Sequence, residues 1–208
     1  MARSRETSSL LLFPLLLIAC GGSVQPENSN ARWDTFRDRF IDAYFQHHPV
    51  VAVNQGRHEF DGKLPDWSPP GIAATVAFLR HSRDEARAFA TESLDEARRF
   101  ERDYLAAVAD GELFTYESAR APFTNPFFYM HWALDNLDPA TYVGRDYAPL
   151  AGRMRAFTNY ARAIPTAAEQ IRANLETPLP RAFIRIAHTS FGGLKKGTVS
   201  ILDSLSTG

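Results

Sequence analysis

Apolar side chains return every three or four residues along almost the whole of this chain, and no segment alternates convincingly at period two. That spacing gathers them on one face of a helix, whereas a half-buried strand needs them at every second position. Prolines and glycines fall between the periodic segments, where they end helices or open new ones. The pattern predicts an all-α fold of about seven helices in an irregular bundle, joined by short proline-marked loops.

The first helix is expected from Arg32 to His48, with Trp33, Phe36, Phe40 and Tyr44 inward and Pro49 as its stop. Residues 50–71 read as loop, with one helical turn at Val51 to Asn54. Ser68 caps a second helix that runs to about Ala90 on a stripe of Ile72, Val76, Leu79 and Ala86. Ser93 and Glu96 form a capping-box pattern for a third, with Ala97, Phe100, Tyr104 and Val108 inward and Gly111 at its end. A buried aromatic helix is expected near Pro126, carrying Phe127, Phe128, Tyr129 and Trp132. Asp146 reads as the cap of a helix with the stripe Leu150, Met154, Phe157, Ala161 and Ile164, ended by Pro165. Thr166 and Glu169 suggest another helix to about Leu175. The last clear one spans Arg181 to Phe191 and ends at Gly192-Gly193, with a basic turn after it.

The amino terminus carries a different signal. Leu10 to Ile18 is almost purely apolar and follows a slightly basic start with Arg3 and Arg5. Nine helical residues reach roughly 14 Å, about half of a bilayer core, which is the size of a leader segment and too short for a span. The run closes on Leu17-Ile18-Ala19-Cys20, which resembles the bacterial lipobox. Cleavage before Cys20 would leave that residue acylated, and two or more acyl chains give stable anchoring where one does not. An ordinary secretory leader with an incidental cysteine is the plainer alternative. The chain thus divides into a lipoprotein signal peptide at 1–19, a flexible polar tether at 20–31, and a helical lobe at 32–208. The expected location is the cell envelope, anchored at a membrane, and Gly21 after the cysteine favours the outer membrane.

Composition narrows the function by exclusion. A formal net charge of −1 argues against a nucleic-acid binder that neutralises many phosphates. A single cysteine rules out an internal disulfide and a cysteine-based zinc finger. Six histidines offer metal or acid–base chemistry. The only His-Glu pair is His58-Glu59, and the residue that would complete a His-Glu-x-x-His pattern is Gly62, so that motif fails. A site built from His47 or His48 with His58 and Asp61 competes with the plain reading of surface or hydrogen-bonded histidines. No nucleophile elbow or phosphate-binding loop is present. The aromatic cluster of residues 127–132 suits core packing, with a ligand groove as the alternative.

Three ordered blocks carry a resemblance. The first is Phe40-Ile41-Asp42-Ala43-Tyr44-Phe45 with His48-Pro49, running on through Arg57-His58-Glu59-Phe60-Asp61-Gly62-Lys63-Leu64-Pro65-Asp66 and Ser68-Pro69. The second is Asn125-Pro126-Phe127-Phe128-Tyr129, and the third runs from Arg153 through Ile164-Pro165 to Ala173-Asn174-Leu175 and Pro178. Together they resemble the N-terminal part of the bacterial domain-of-unknown-function family 885, whose members are mostly helical and often exported lipoproteins. That family resembles thermolysin-like zinc metallopeptidases. Its His-Glu-x-x-x-x-His helix and further carboxylate ligand lie beyond the region matched here. The resemblance therefore transfers no catalytic residue and no metal ligand, and it implies zinc only together with a C-terminal part that this chain lacks. His58, Asp61, Gly62 and Asp66 match the family signature without a chemical role attached, and as residues Asp61-Gly62 and Pro65-Asp66 are turn formers.

Two functions follow as expectations. One is a lipid-anchored N-terminal lobe of a metallopeptidase-like protein, truncated and without hydrolase activity by itself. The other is a stand-alone helical lipoprotein that binds or scaffolds at a membrane. The expected partners are the membrane, through acylated Cys20, and a C-terminal lobe or a peptide ligand.

Overall fold

The computed structural model describes residues 29–132, 137 and 139–206. Cys20, the expected leader and residues 20–28 of the tether lie outside the described residues. The described residues form eight α-helices and no strand, as the apolar periodicity predicts.

Helix α1 (Ser29–His47) starts three residues before its expected position and buries Trp33, Phe36 and Tyr44. Pro49 does not leave a loop behind it. It opens α2 (Pro49–Asn54), where its missing N–H needs no partner. Helix α3 (Pro69–Ala88) is capped by Ser68, whose hydroxyl accepts from the Gly71 N–H, and buries Ile72, Leu79 and Ala86 as expected. It packs most extensively against α4 (Glu96–Leu113). The cap of α4 is Asp95, which accepts from the Arg98 N–H, so Ser93 belongs to a preceding 3-10 turn and not to a capping box. Gly111 does not end the helix. The chain runs on into a wide turn over Phe114–Ser118, where the Ala119 N–H reaches the Phe114 carbonyl at 2.8 Å.

The inward face of α4 is a correction. Leu105, Ala106, Ala109 and Leu113 are buried, whereas Phe100 and Tyr104 stand 70% and 64% exposed. Ala109 and Leu113 join Ile72 and Leu79 of α3 in the central core, and Leu105 joins Trp33, Phe36 and Ala86 in a smaller cluster. The helix has two apolar stripes, and the one with the smaller residues faces the neighbours.

Beyond α4 lie two short helices, α5 (Ala121–Thr124) and α6 (Ala140–Gly144), with a wide turn at Phe128–Trp132 between them. The aromatic helix expected near Pro126 is that turn, and its Phe128 and Tyr129 are buried in the core. The Trp132 side chain lies outside the described residues.

Helix α7 (Leu150–Asn174) passes straight through Pro165. The stop at Pro165 and the capping box at Thr166 and Glu169 are both overturned. Good helix formers flank the proline, and the far half buries Ala167 and Ile171 beside the core. Its buried stripe is Arg153, Ala156, Tyr160, Ala167, Ile171 and Asn174, with Leu150 and Ala161 exposed. Polar members of that stripe are buried because each has partners. Asp146 does not cap α7; it pairs with Arg153 at 2.7 Å. Helix α8 (Arg181–Ser206) likewise continues through Gly192-Gly193 and past the expected basic turn.

Candidate functional site

The loop with the signature residues is held by distant parts of the chain. Phe60 anchors it in a cluster with Val53, Tyr142 and Tyr160. Gly62 takes a φ of +78°, in the left-handed region, and a Cβ there would lie 2.7 Å from the Ala156 carbonyl and the Asn159 Cβ. Glycine alone meets both demands. Its N–H donates to the Tyr142 hydroxyl at 2.9 Å. His58 lies flat on Tyr147, with ring centroids 3.9 Å apart, and its Nδ1 is 3.2 Å from Asp61 Oδ1. The Tyr147 hydroxyl donates to Asp61 Oδ2 at 3.0 Å. Burial first, and the Asp61 carboxylate second, push the Tyr147 hydroxyl well above the usual tyrosine range.

Asp66 closes the loop. Its Oδ1 accepts from the Ser68 N–H and from Gln170 Nε2, both at 2.9 Å. Hydrogen bonds from Ser68, then from Gln170, hold its carboxyl below the usual aspartate range. Asn174 donates to the Trp67 carbonyl at 2.6 Å and to the Tyr129 hydroxyl at 3.1 Å, and that hydroxyl donates to the Pro122 carbonyl at 2.7 Å. Burial pushes Tyr129 up to about 12. Thus the structure brings His58 and Asp61 together, sets Gly62 against α7, and ties Asp66 to Ser68 and Gln170, with His58 and Asp66 exposed.

The histidines do not converge. His47 stacks on Phe78 and its Nδ1 lies 3.1 Å from the Thr75 hydroxyl. His48 is 2% exposed, and its Nε2 is 3.3 Å from Glu112 Oε2. Glu112 also accepts from the Tyr44 hydroxyl at 2.6 Å. Sequence reasoning missed this buried group, because Glu112 sits just past the glycine read as the helix end. Among the described residues no group of three or more His, Cys, Asp or Glu could hold a metal ion.

An apolar concave feature lies between α1 and α4. Two ionic links tie the helices near their N-terminal ends. Arg98 grips Asp34 with Nε and Nη2, at 2.9 and 2.6 Å. Glu101 accepts from Trp33 Nε1 at 2.8 Å and from Arg37 at 3.2 Å. The hydrogen bond from Arg98 lowers the Asp34 carboxyl, and Arg98 is raised in return. Along these links runs a groove of about 380 Å³, walled by Phe40, Ile41, Tyr44, Phe100, Tyr104 and Val108. Phe100 and Tyr104 stack at 6.1 Å on its outer rim. Sequence reasoning placed both residues in the core and so missed the groove.

Comparison with known proteins adds the class. The model of a bacterial protein family of unknown function, DUF885, matches residues 49–197. The chain belongs to that family. No curated protein matches it. A solved structure described as a "putative lipoprotein of unknown function from Shewanella oneidensis" is similar, with a TM-score of 0.61 at 18% identity. The likeness covers 84% of this chain and 37% of that one, so this chain spans little more than a third of the similar structure's length. At that identity the likeness establishes the all-α fold and nothing finer. Among the described residues no helix is long and apolar enough to cross a membrane.

Proposed function

We propose that the protein is an exported, lipid-anchored helical lobe that holds a second, metallopeptidase-like lobe or a peptide ligand, and that the chain alone performs no hydrolysis. The single observation that carries the reading is the contrast between two surfaces. The signature loop spends the polar groups of Gly62, Asp61 and Asp66 on contacts with Tyr142, Tyr147 and Gln170. Helix α8, by contrast, leaves Ile184, Ile186 and Val199 about half exposed. Exposed apolar side chains of this kind suit a docking face. The anchor rests on the Leu17-Ile18-Ala19-Cys20 pattern, and the similarity to a structure described as a putative lipoprotein is consistent with it. Zinc and its catalytic base belong to the other lobe in this reading, so no step is assigned to residues here.

Metabolic labelling with a fatty acid tests the anchor: the wild-type chain takes up label and Cys20→Ser does not. Equal labelling of both removes the anchor. Purified protein should neither bind zinc stoichiometrically nor cleave peptides. Cleavage that is lost on chelation would remove the docking role.

A further inference from the structure

The groove between α1 and α4 is apolar, open and elongated, and its polar neighbours are already matched. Arg37 reaches Asp34, Asp38 and Glu101. Glu101 is held by Trp33 and Arg37, and the Tyr44 hydroxyl by Glu112. An extended peptide or a lipid headgroup entering here would bring polar groups that find no partner on the floor. A hydrocarbon chain brings none.

The dimensions agree with such an occupant. From Trp33 to Tyr44 the groove follows α1 for about 17 Å, at 1.5 Å per residue. One layer of acyl chains fills half of a bilayer core, about 15 Å. The origin is also within reach. The groove opens one turn into α1, and eight residues, 21–28, separate Cys20 from Ser29, a stretch that spans up to about 30 Å when extended. We infer that the groove between α1 and α4 seats one fatty acyl chain carried by this chain's own Cys20. The inference rests on the reading of Cys20 as acylated. Lipobox cysteines carry more than one acyl chain, so seating one leaves others for the membrane. The lobe is then held close to the bilayer by its α1–α4 face and does not swing freely on a tether.

The test uses cells that express the full chain and are fed a palmitate analogue with a photoreactive group near its tail and an alkyne handle. After irradiation the protein is digested and its cross-linked peptides are mapped. The expected result is label on the α1 and α4 peptides, around Ile41, Phe100 and Tyr104. It should fall at least fivefold in Ile41→Arg/Tyr104→Arg, whose sites are exposed, and helicity by circular dichroism should not change. It should vanish in Cys20→Ala. Label at Cys20 with cross-links only to lipid or to α8 overturns the inference. So does label on α1 and α4 that persists in Cys20→Ala, since the seated chain is then a membrane phospholipid's. Cross-links between differently tagged copies overturn it in favour of a second copy as the donor. Wild-type protein without analogue at Cys20 overturns the anchor and the seating together, and that outcome is read separately from the analogue content.

Discussion

Gly62 shows how much a single residue decides in this fold. Its φ of +78° disfavours any side chain, and the space that a Cβ would need is filled by α7. Gly56 has a similar φ of +87° but open space around it. Gly62→Ala should therefore cost about 2–4 kcal/mol, from backbone strain and forced displacement together. Gly56→Ala should cost about 1 kcal/mol from strain alone. Thermal unfolding separates the two, with a drop of roughly 5–15 °C expected for Gly62→Ala. Equal effects would mean that the contact with α7 carries no weight. Tyr129 supplies a pH signature. Its hydroxyl stays protonated when folded up to about pH 12, whereas an unfolded tyrosine ionises near 10. Between those values the unfolded state binds fewer protons, so stability falls as pH rises. Tyr129→Phe should weaken that alkaline slope, seen in denaturant titrations at several pH values, while losing about 1 kcal/mol at neutral pH with the bond to Pro122. Asp61, Gly62 and Asp66 were legible in the sequence as turn formers. Their partners were not, because Tyr142, Tyr147 and Gln170 are brought in from 80 to 104 residues away.

At the level of elements, periodicity located the helices, and local stop signals misplaced their ends. Ser68 and Pro69 open α3 as their chemistry requires, because nothing distant competes there. Pro165 and Gly192-Gly193 were read as stops and are not: Ala167 and Ile171 are buried beyond the proline, and Leu194 packs on the core beyond the glycines, which outweighs the local loss. The two stripes of α4 were equally apolar on paper, and only its pairing with α3 and α1 decides between them. The groove was hidden in the sequence for that reason. Pro165 yields a prediction. A proline inside a helix lacks the N–H for the bond to residue 161, and its ring crowds that carbonyl. Pro165 is exposed, so Pro165→Ala changes little packing. It should raise stability by about 1–3 kcal/mol, measured by denaturant unfolding with α7 intact. A loss of stability instead would mean that the proline ring is required to place Ala167 and Ile171.

Taken whole, the molecule carries little net charge: −1 at pH 7 for the full chain, and 21 basic against 23 acidic side chains, or −2, for residues 21–208, so copies repel one another little. It also presents Ile184 and Val199 on α8, 48% and 50% exposed, with Ile186 beside Ile184 in the chain. In a solution of residues 21–208, these apolar side chains have only water or another copy to meet. Weak repulsion and an uncovered apolar face together favour self-association. The expected behaviour is a sedimentation coefficient that rises with concentration at pH 7 and low salt. It should rise less at pH 9, where loss of the α-amino charge makes each copy more negative. Ile184→Ser/Val199→Ser should shift the midpoint of association several-fold higher in concentration. Both positions are half exposed, so the helix and core should survive the change, which circular dichroism checks. A partner lobe that covers α8 should compete with self-association and return the protein to a single species. If the unsubstituted protein sediments as a monomer at every concentration, α8 is not a docking face, and the proposed role of the lobe falls with it.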